Sequence, residues 1–393
     1  MDFETLKQLE HENVMQTYGR FDLALDHGQG ARLYDIDGRE YIDMTSGIGV
    51  NSLGHNHPEL VKTISNQAGK LFSASNLFYT VPMVEAAKKL TEATGMDKVF
   101  FANSGAESNE GAIKLARKYS HDKYGDGRNK VLTLKQSFHG RTIATLEATG
   151  QDHFHQHFFP FTEGFDYISA NDAADLAAHD DGTVCAVMME LIQGESGVRP
   201  LDPDYVKAVA DYCKEHDILL IVDEVQTGIG RTGSLFCFQN YDLEPDVVTM
   251  AKGLGGGIPV GGFLANKKTS SVLGAGDHGT TFGGNPLAMA CANTVLDTIT
   301  DPAFLAEVNR KGEDLRQFVK DLDSPYVRDV RGQGLMTGIE VGADNLSRLV
   351  QACMDNGLLV LKAGSDTIRL LPPLVITDED LAAAKDVFAR VLK

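Results

Sequence analysis

Two segments of the chain place a charged residue where a β-rich run gives way to glycine: ILLIVDEVQTGIGRTG, with Asp223, and DVVTMAKGLGGGIPVGG, with Lys252. A lysine at a strand end before a glycine-rich turn suits an imine-forming amine. Glycine lets backbone and ligand approach closely, and burial lowers the ammonium pKa so that a neutral nucleophile is present. An aspartate nearby can pair with a pyridinium nitrogen, keep it protonated and preserve the ring as an electron sink. In open α/β sheets ligands sit beyond the carboxyl ends of the strands, so both side chains are candidates for one site. Taken singly, each has a structural alternative: a buried Asp–Lys ion pair, or a glycine-rich turn with a surface lysine.

Three further segments carry chemistry of lower specificity. In VFFANSGAESNEGAIKLARKYS a strand runs into Ser104-Gly105-Ala106 and then an amphipathic helix. Free backbone N–H groups and the helix dipole make that junction a plausible phosphate cradle. It is not a P-loop, because no G-K-[ST] follows; an ordinary serine-capped helix is the alternative. In KQSFHGRT, Phe138 offers a flat face for an aromatic ring and Arg141 a bidentate fork for a carboxylate. In HGTTFGGNP the hydroxyls of Thr280 and Thr281 are possible phosphate donors.

These residues need a scaffold that brings strand ends together. Candidate strands are 99–102, 130–134, 184–190, 218–223, 247–250 and 261–265, separated by helical patterns such as 107–119 and 204–216. Strands apolar throughout and alternating with helices imply an α/β fold with a mainly parallel sheet covered on both faces. A large domain is expected over 46–298. The remaining 299–393 read as a smaller α+β domain, with helices at 304–322 and 345–356 and strands near 327–341, 358–361 and 367–371. Residues 1–45, with a strand–turn–strand signal around Asp37-Gly38, are expected to pack with it.

The bulk properties narrow the function. At 393 residues the chain exceeds what one core usually organises. A formal net charge of −19 is repelled by nucleic acid and by anionic membrane surfaces, though a local pair of arginines can still bind a small anion. The five cysteines are scattered and form no C-x-x-C pair, which reads as reduced thiols in a cytoplasmic protein rather than disulfides or a zinc site. The acidic N-terminus has neither signal-peptide nor transit-peptide character, and no apolar run approaches a membrane span. His153, His155 and His157 form an H-x-H-x-H run; solvated loop histidines are the expectation, and no metal is assigned.

In combination the motifs resemble the class III (ω-amino-acid) aminotransferases, members of the fold-type I pyridoxal-phosphate enzymes. The resemblance runs nearly end to end: GREYIDMTSGIGVNSLGHNHP, FFANSGAESNEGAIKLAR, SFHGRT, IQGESGV, IVDEVQTGIGRTG, AKGLGGGIPVGG, HGTTFGGNPLA and TIRLLPPLVIT, in family order. It implies a seven-stranded sheet in the large domain and pyridoxal 5'-phosphate as cofactor. Lys252 would carry the cofactor and shuttle the proton, and Asp223 would hold the pyridine nitrogen. Gly105 and Ala106 would bind phosphate, Phe138 would stack on the ring, and Gln226 would approach the ring hydroxyl. Ser104, His139, Glu224 and Val225 count among the cofactor-binding residues. Thr281 would reach the phosphate of the neighbouring subunit, with Thr280 beside the substrate, which implies a homodimer with shared sites. Arg141 would take the distal carboxylate and Arg369 the α-carboxylate of glutamate or 2-oxoglutarate. Glu195 is expected against Arg369 as a removable mask.

Within the family the match is to the acetylornithine branch. Ile48 stands where ornithine δ-aminotransferases typically carry a tyrosine, and F-H-G-R and A-K-G-L-G replace the Y-H-G-R and A-K-S-I-A frequent in 4-aminobutyrate enzymes. Leu191 replaces a frequent proline, and GHNHP a common G-H-C-H-P. The implied reaction is N-acetyl-ornithine plus 2-oxoglutarate giving N-acetylglutamate semialdehyde plus glutamate. Ornithine, 4-aminobutyrate, succinylornithine and succinyl-diaminopimelate remain alternative donors. A pyridoxal-phosphate-binding protein without turnover is the alternative of another class.

Overall fold

A computed structural model describes all 393 residues. Its centre is a seven-stranded sheet in the spatial order 98–102, 261–265, 247–250, 219–223, 184–189, 130–134, 165–168. Six strands point the same way, and Gly261–Ala265 alone runs antiparallel, pairing with Val247–Met250 on one side and Lys98–Ala102 on the other. All six strands expected from apolar runs form. The seventh, Phe165–Ile168, is an edge strand with Asp166 in its middle and only Ile168 buried, so it lacks the continuous apolar signature of a central strand.

Period-two alternation distributes the sheet between two cores. From strand Leu219–Asp223, Leu219 and Ile221 join Ala112 and Ile113 of helix Gly105–Tyr124 in one cluster. Leu220 and Val222 face the other, larger core, which continues without interruption to Val330, Ile368 and Phe388 near the C-terminus. Helix Gly105–Tyr124 begins where Ser104 caps it, its hydroxyl accepting from the Glu107 amide at 3.2 Å, while Glu107 reaches back to the Asn103 amide.

Two smaller sheets flank this body. Strands Leu25–Gln29, Arg32–Asp35 and Glu40–Asp43 form an antiparallel meander, and Leu358–Leu359 adds to it in parallel beside Ile42 and Asp43. The other sheet, in the order 329–333, 336–340, 367–370, 361–363, is antiparallel and carries Arg369 on an inner strand. The N-terminal segment is thus hydrogen-bonded to a C-terminal strand across more than 300 residues of chain. No helix is long and apolar enough to cross a membrane.

Candidate active site

The carboxyl ends of the central strands open onto a cleft of about 440 Å³. Its lining unites residues that the sequence scatters: Ser104, Gly105 and Ala106 at a helix start; Phe138, His139 and Arg141 after strand 130–134; Glu195; Asp223, Val225 and Gln226; and Lys252.

Lys252 follows strand Val247–Met250 and opens a short 3-10 turn with φ of 42°, a left-handed conformation uncommon outside glycine. Burial lowers its pKa below the ordinary lysine value. Arg369 acts in the same direction, and Glu195, Asp223 and Glu190 oppose it. A lowered value enlarges the fraction of neutral, nucleophilic amine. The ion pair with Asp223 that would make Lys252 merely structural is not formed. Asp223, only 4% exposed, instead accepts at Oδ2 from Asn109 Nδ2 (2.8 Å) and His139 Nδ1 (2.7 Å), and at Oδ1 from the Val225 amide (2.9 Å). Since a carboxylate is the acceptor, His139 carries its proton on Nδ1; its Nε2 is buried without a partner.

At the head of helix Gly105–Tyr124, the Ser104 hydroxyl takes the Glu107 amide and the Ser104 carbonyl takes the Ser108 amide. Gly105 and Ala106 line the cleft as the first residues of the helix, where amides have no intrahelical partner and the dipole favours an anion. Gly105 is required by packing: a Cβ there would lie 2.6 Å from Val225 Cγ1.

The opposite wall holds an ion pair whose arginine is buried and whose glutamate is partly exposed to the cleft. Arg369, 3% exposed, donates from Nη1 to Glu195 Oε1 at 2.7 Å and from Nη2 to Glu195 Oε2 at 3.3 Å. Nη1 also reaches the Gly194 carbonyl and the Gln226 Oε1, and Gln226 Nε2 donates to Glu195 Oε1. Burial alone would raise the Glu195 carboxyl, but the Arg369 charge and hydrogen bonds outweigh it and hold it below the usual range.

Three expected residues lie elsewhere within one chain. Glu224 does not line the cleft. Alternation along the chain turns it away from Asp223, and its carboxyl accepts from Thr227 Oγ1 (2.5 Å) and the Phe238 amide (2.7 Å), pinning the loop that follows. Burial pushes it up to about 7. Thr280 hydrogen-bonds Asn103 at the cleft's edge, and Thr281 borders a separate depression beside Asn76 and Phe78. Among the lining residues that the sequence reading did not single out, two have polar side chains that hold other members of the site. Glu190, at the end of strand 184–189, accepts from the Phe138 amide and is pushed up to about 7 by burial; Asn109 holds Asp223 from the helix. The strand-end position of Glu190 was a usable signal, whereas Asn109 sits within a helical pattern that hides it. The three histidines do not converge: His153 packs on Phe154, and His155 donates to the Leu146 carbonyl. No group of three His, Cys, Asp or Glu side chains is arranged as metal ligands.

Ile48 lies on an unusual turn two residues before the lining residue Val50. Ser46, Gly47, Ile48 and Gly49 have φ of 42°, 64°, 66° and 78°, one turn of left-handed backbone. For a β-branched residue this costs about 1–2 kcal/mol. Asp43 Oδ1, accepting from the Thr45 and Ser46 amides, and the Ser46 hydroxyl, donating to the Leu371 carbonyl, hold it in place.

Residues 14–392 match the family model described as aminotransferase class-III. The chain belongs to the class-III aminotransferase family. Among its relatives, an acetylornithine aminotransferase of Haemophilus ducreyi is 52% identical, with 100% of this chain and 99% of the relative covered. Of solved structures, N-acetylornithine aminotransferase from Stenotrophomonas maltophilia matches with a TM-score of 0.85 at 38% identity, covering 98% of this chain and 97% of that one. An ornithine aminotransferase from Toxoplasma gondii matches with a TM-score of 0.96 at 32% identity, covering 100% and 95%. The backbone is therefore shared between enzymes named for different donors. As a class-III aminotransferase, the protein is a pyridoxal-phosphate-dependent transaminase. The cleft fits that cofactor: open amides at a helix start suit a phosphate, Phe138 a ring face, Asp223 a protonated ring nitrogen, and an amine of lowered pKa a carbonyl.

Proposed function

We propose that the protein transfers the terminal amino group of N-acetyl-L-ornithine to 2-oxoglutarate, giving N-acetyl-L-glutamate 5-semialdehyde and L-glutamate, a step of arginine biosynthesis. The observation that carries this reading is a pair of guanidinium groups in unlike settings: Arg141, on the cleft and unclaimed by any acceptor, and Arg369, buried behind the cleft-lining Glu195 that covers it. The 52% identity to a named acetylornithine aminotransferase supports the same donor, as does the aliphatic Ile48.

Pyridoxal phosphate, when bound, supplies the carbonyl that receives the amino group and the ring that accommodates negative charge at the reacting carbon. The chain does the rest. Lys252 Nζ takes the proton from the amino-bearing carbon of the substrate and returns it later in each half-reaction. Asp223, oriented by Asn109 and His139, would keep the ring nitrogen protonated. The Gly105 and Ala106 amides would hold the phosphate, and Gln226 would sit near the ring hydroxyl. Arg141 binds the carboxylate remote from the reacting amine. Glu195 covers Arg369 while the ω-amine reacts, and yields it to the α-carboxylate of glutamate or 2-oxoglutarate.

The working unit in this reading is a homodimer. Leu77, Phe78, Tyr79, Val81 and Phe282 are 64–100% exposed near Thr281 in sequence or at its depression, an apolar cluster of the kind that marks an interaction face. Covering that face with a second copy would bring Thr281 to the neighbour's phosphate. Five unpaired, buried cysteines support work in the cytoplasm. A panel of acetylornithine, succinylornithine, ornithine, 4-aminobutyrate and succinyl-diaminopimelate with 2-oxoglutarate tests the substrate, and a kcat/KM highest for any donor but acetylornithine overturns it. For the shared site, an inactive Lys252→Ala chain mixed with an inactive, bulky Thr281 variant should regain activity in one site of the mixed dimer. Full activity of a demonstrated monomer would remove it.

A further inference from the structure

Two aromatic rings, and no hydrogen-bond acceptor, hold the Arg141 guanidinium. Its Cζ lies 3.9 Å from the centroid of the Phe154 ring and 5.6 Å from that of Phe138. The two rings meet edge to face, 6.0 Å apart at 72°. The distinction matters chemically. A carboxylate or carbonyl partner would occupy the in-plane N–H donors of the fork. An aromatic face instead attracts the cation through its π surface and leaves those donors free.

The platform is itself anchored. Phe154 ends a 3-10 turn, Asp152–Phe154, and is half-buried. The next residue, His155, donates from Nε2 to the carbonyl of Leu146 at 2.9 Å. Leu146 belongs to helix Ile143–Glu147, which begins two residues after Arg141. The ring of His155 also packs against Phe161 and Tyr167. The H-x-H-x-H run therefore contains the clamp that ties the Phe154 turn to the segment bearing Arg141. An exposed arginine would otherwise sample many rotamers, and each would have to be given up on binding.

We propose that Phe154 is the positioning residue for Arg141, presenting an unclaimed fork to the carboxylate remote from the reacting amine and so favouring donors that carry it. This rests on the reading above that Arg141 takes that carboxylate, and the test separates the two. Holoenzyme variants Phe154→Leu, Phe154→Tyr and Arg141→Gln are compared on acetylornithine and on N-acetylputrescine, which has the same chain and terminal amine but no carboxylate. Calorimetry with N-acetyl-L-norvaline, which keeps the carboxylate but lacks the reacting amine, reads binding without turnover. Phe154→Leu should raise the KM for acetylornithine and the Kd for N-acetyl-L-norvaline by about 3- to 10-fold, with kcat moving far less. Its kcat/KM for N-acetylputrescine should stay level, and Phe154→Tyr should recover the parent values. Unchanged binding in Phe154→Leu while Arg141→Gln loses it overturns this inference and leaves the role of Arg141 standing. An equal loss on both donors in Phe154→Leu also overturns it, marking the ring as structural. If Arg141→Gln changes neither donor, the underlying reading of Arg141 fails instead.

Discussion

Asp223 and Glu195 are carboxylates of the same cleft, the first buried and the second partly exposed, and their charges are answered in opposite ways. Asp223 is held by the Asn109 amide, the Val225 backbone and the His139 ring, none of which is a fixed charge. Glu195 faces the permanent cation of Arg369 at 2.7 Å. A buried anion without a fixed counter-ion attracts a cationic partner, which is what a protonated pyridine nitrogen would be. A buried pair whose members already satisfy each other can be opened only by a ligand that replaces one of them, such as a substrate carboxylate. In the proposed reading, one end of the cleft stays fixed and the other exchanges partners.

The comparison breaks most visibly at the fixed end. Lys252→Ala should abolish both half-reactions while the apo-protein keeps its far-UV circular dichroism and melting temperature. Measurable turnover in the purified variant would remove Lys252 from its role. Asp223→Ala should slow both half-reactions by at least ~10³-fold, the scale of a preorganised electrostatic partner. A deficit below tenfold in single-turnover absorbance would show that another group protonates the ring nitrogen.

At the exchangeable end the expected losses are smaller and asymmetric. Glu195→Gln leaves Arg369 uncovered, so it should slow the ω-amine half-reaction ~10- to 100-fold more than the glutamate half-reaction, the range spanned by charge-assisted hydrogen bonds. Arg369→Ala should do the reverse. Stopped-flow absorbance separates the halves, and equal losses in both would make the pair a static brace.

The smallest effect sharpens the comparison with a third carboxyl, Glu224, which is buried, bonded only to neutral groups and absent from the cleft. Its folded pKa of about 7 lies above the ordinary 4.5. The folded state therefore binds the extra proton between those values, and stability falls as pH rises from 4.5 to 7. Glu224→Gln keeps an acceptor for the Phe238 amide and removes the charge. Urea melts should show the variant gaining roughly 1–3 kcal/mol over the parent at pH 8, with the difference vanishing near pH 4.5. A pH-independent difference would mean that Glu224 is already compensated.

The sequence by itself determined the elements and which strand-end and helix-start residues gather at one cleft. Strands 130–134, 247–250 and 261–265 have the bounds that their apolar runs give, because a strand buried on both faces needs apolar residues throughout. Asp223, Lys252 and Gly105 were legible because each sits at a strand end or helix start, and the geometry of a parallel sheet gathers such ends on one edge. Glu224 misled for a local reason: it adjoins Asp223 in sequence, yet alternation points it into the opposite side of the loop. What only the tertiary structure decided are the contacts between elements that share no local pattern. Arg369 meets Glu195 across 174 residues, from a different sheet. Phe154 meets Arg141 through a His155–Leu146 hydrogen bond that no periodicity encodes, and Ser46–Gly49 turns left-handed because Asp43 and Leu371 hold it so. Periodicity reports which face of an element is buried; it carries no record of which distant element covers that face.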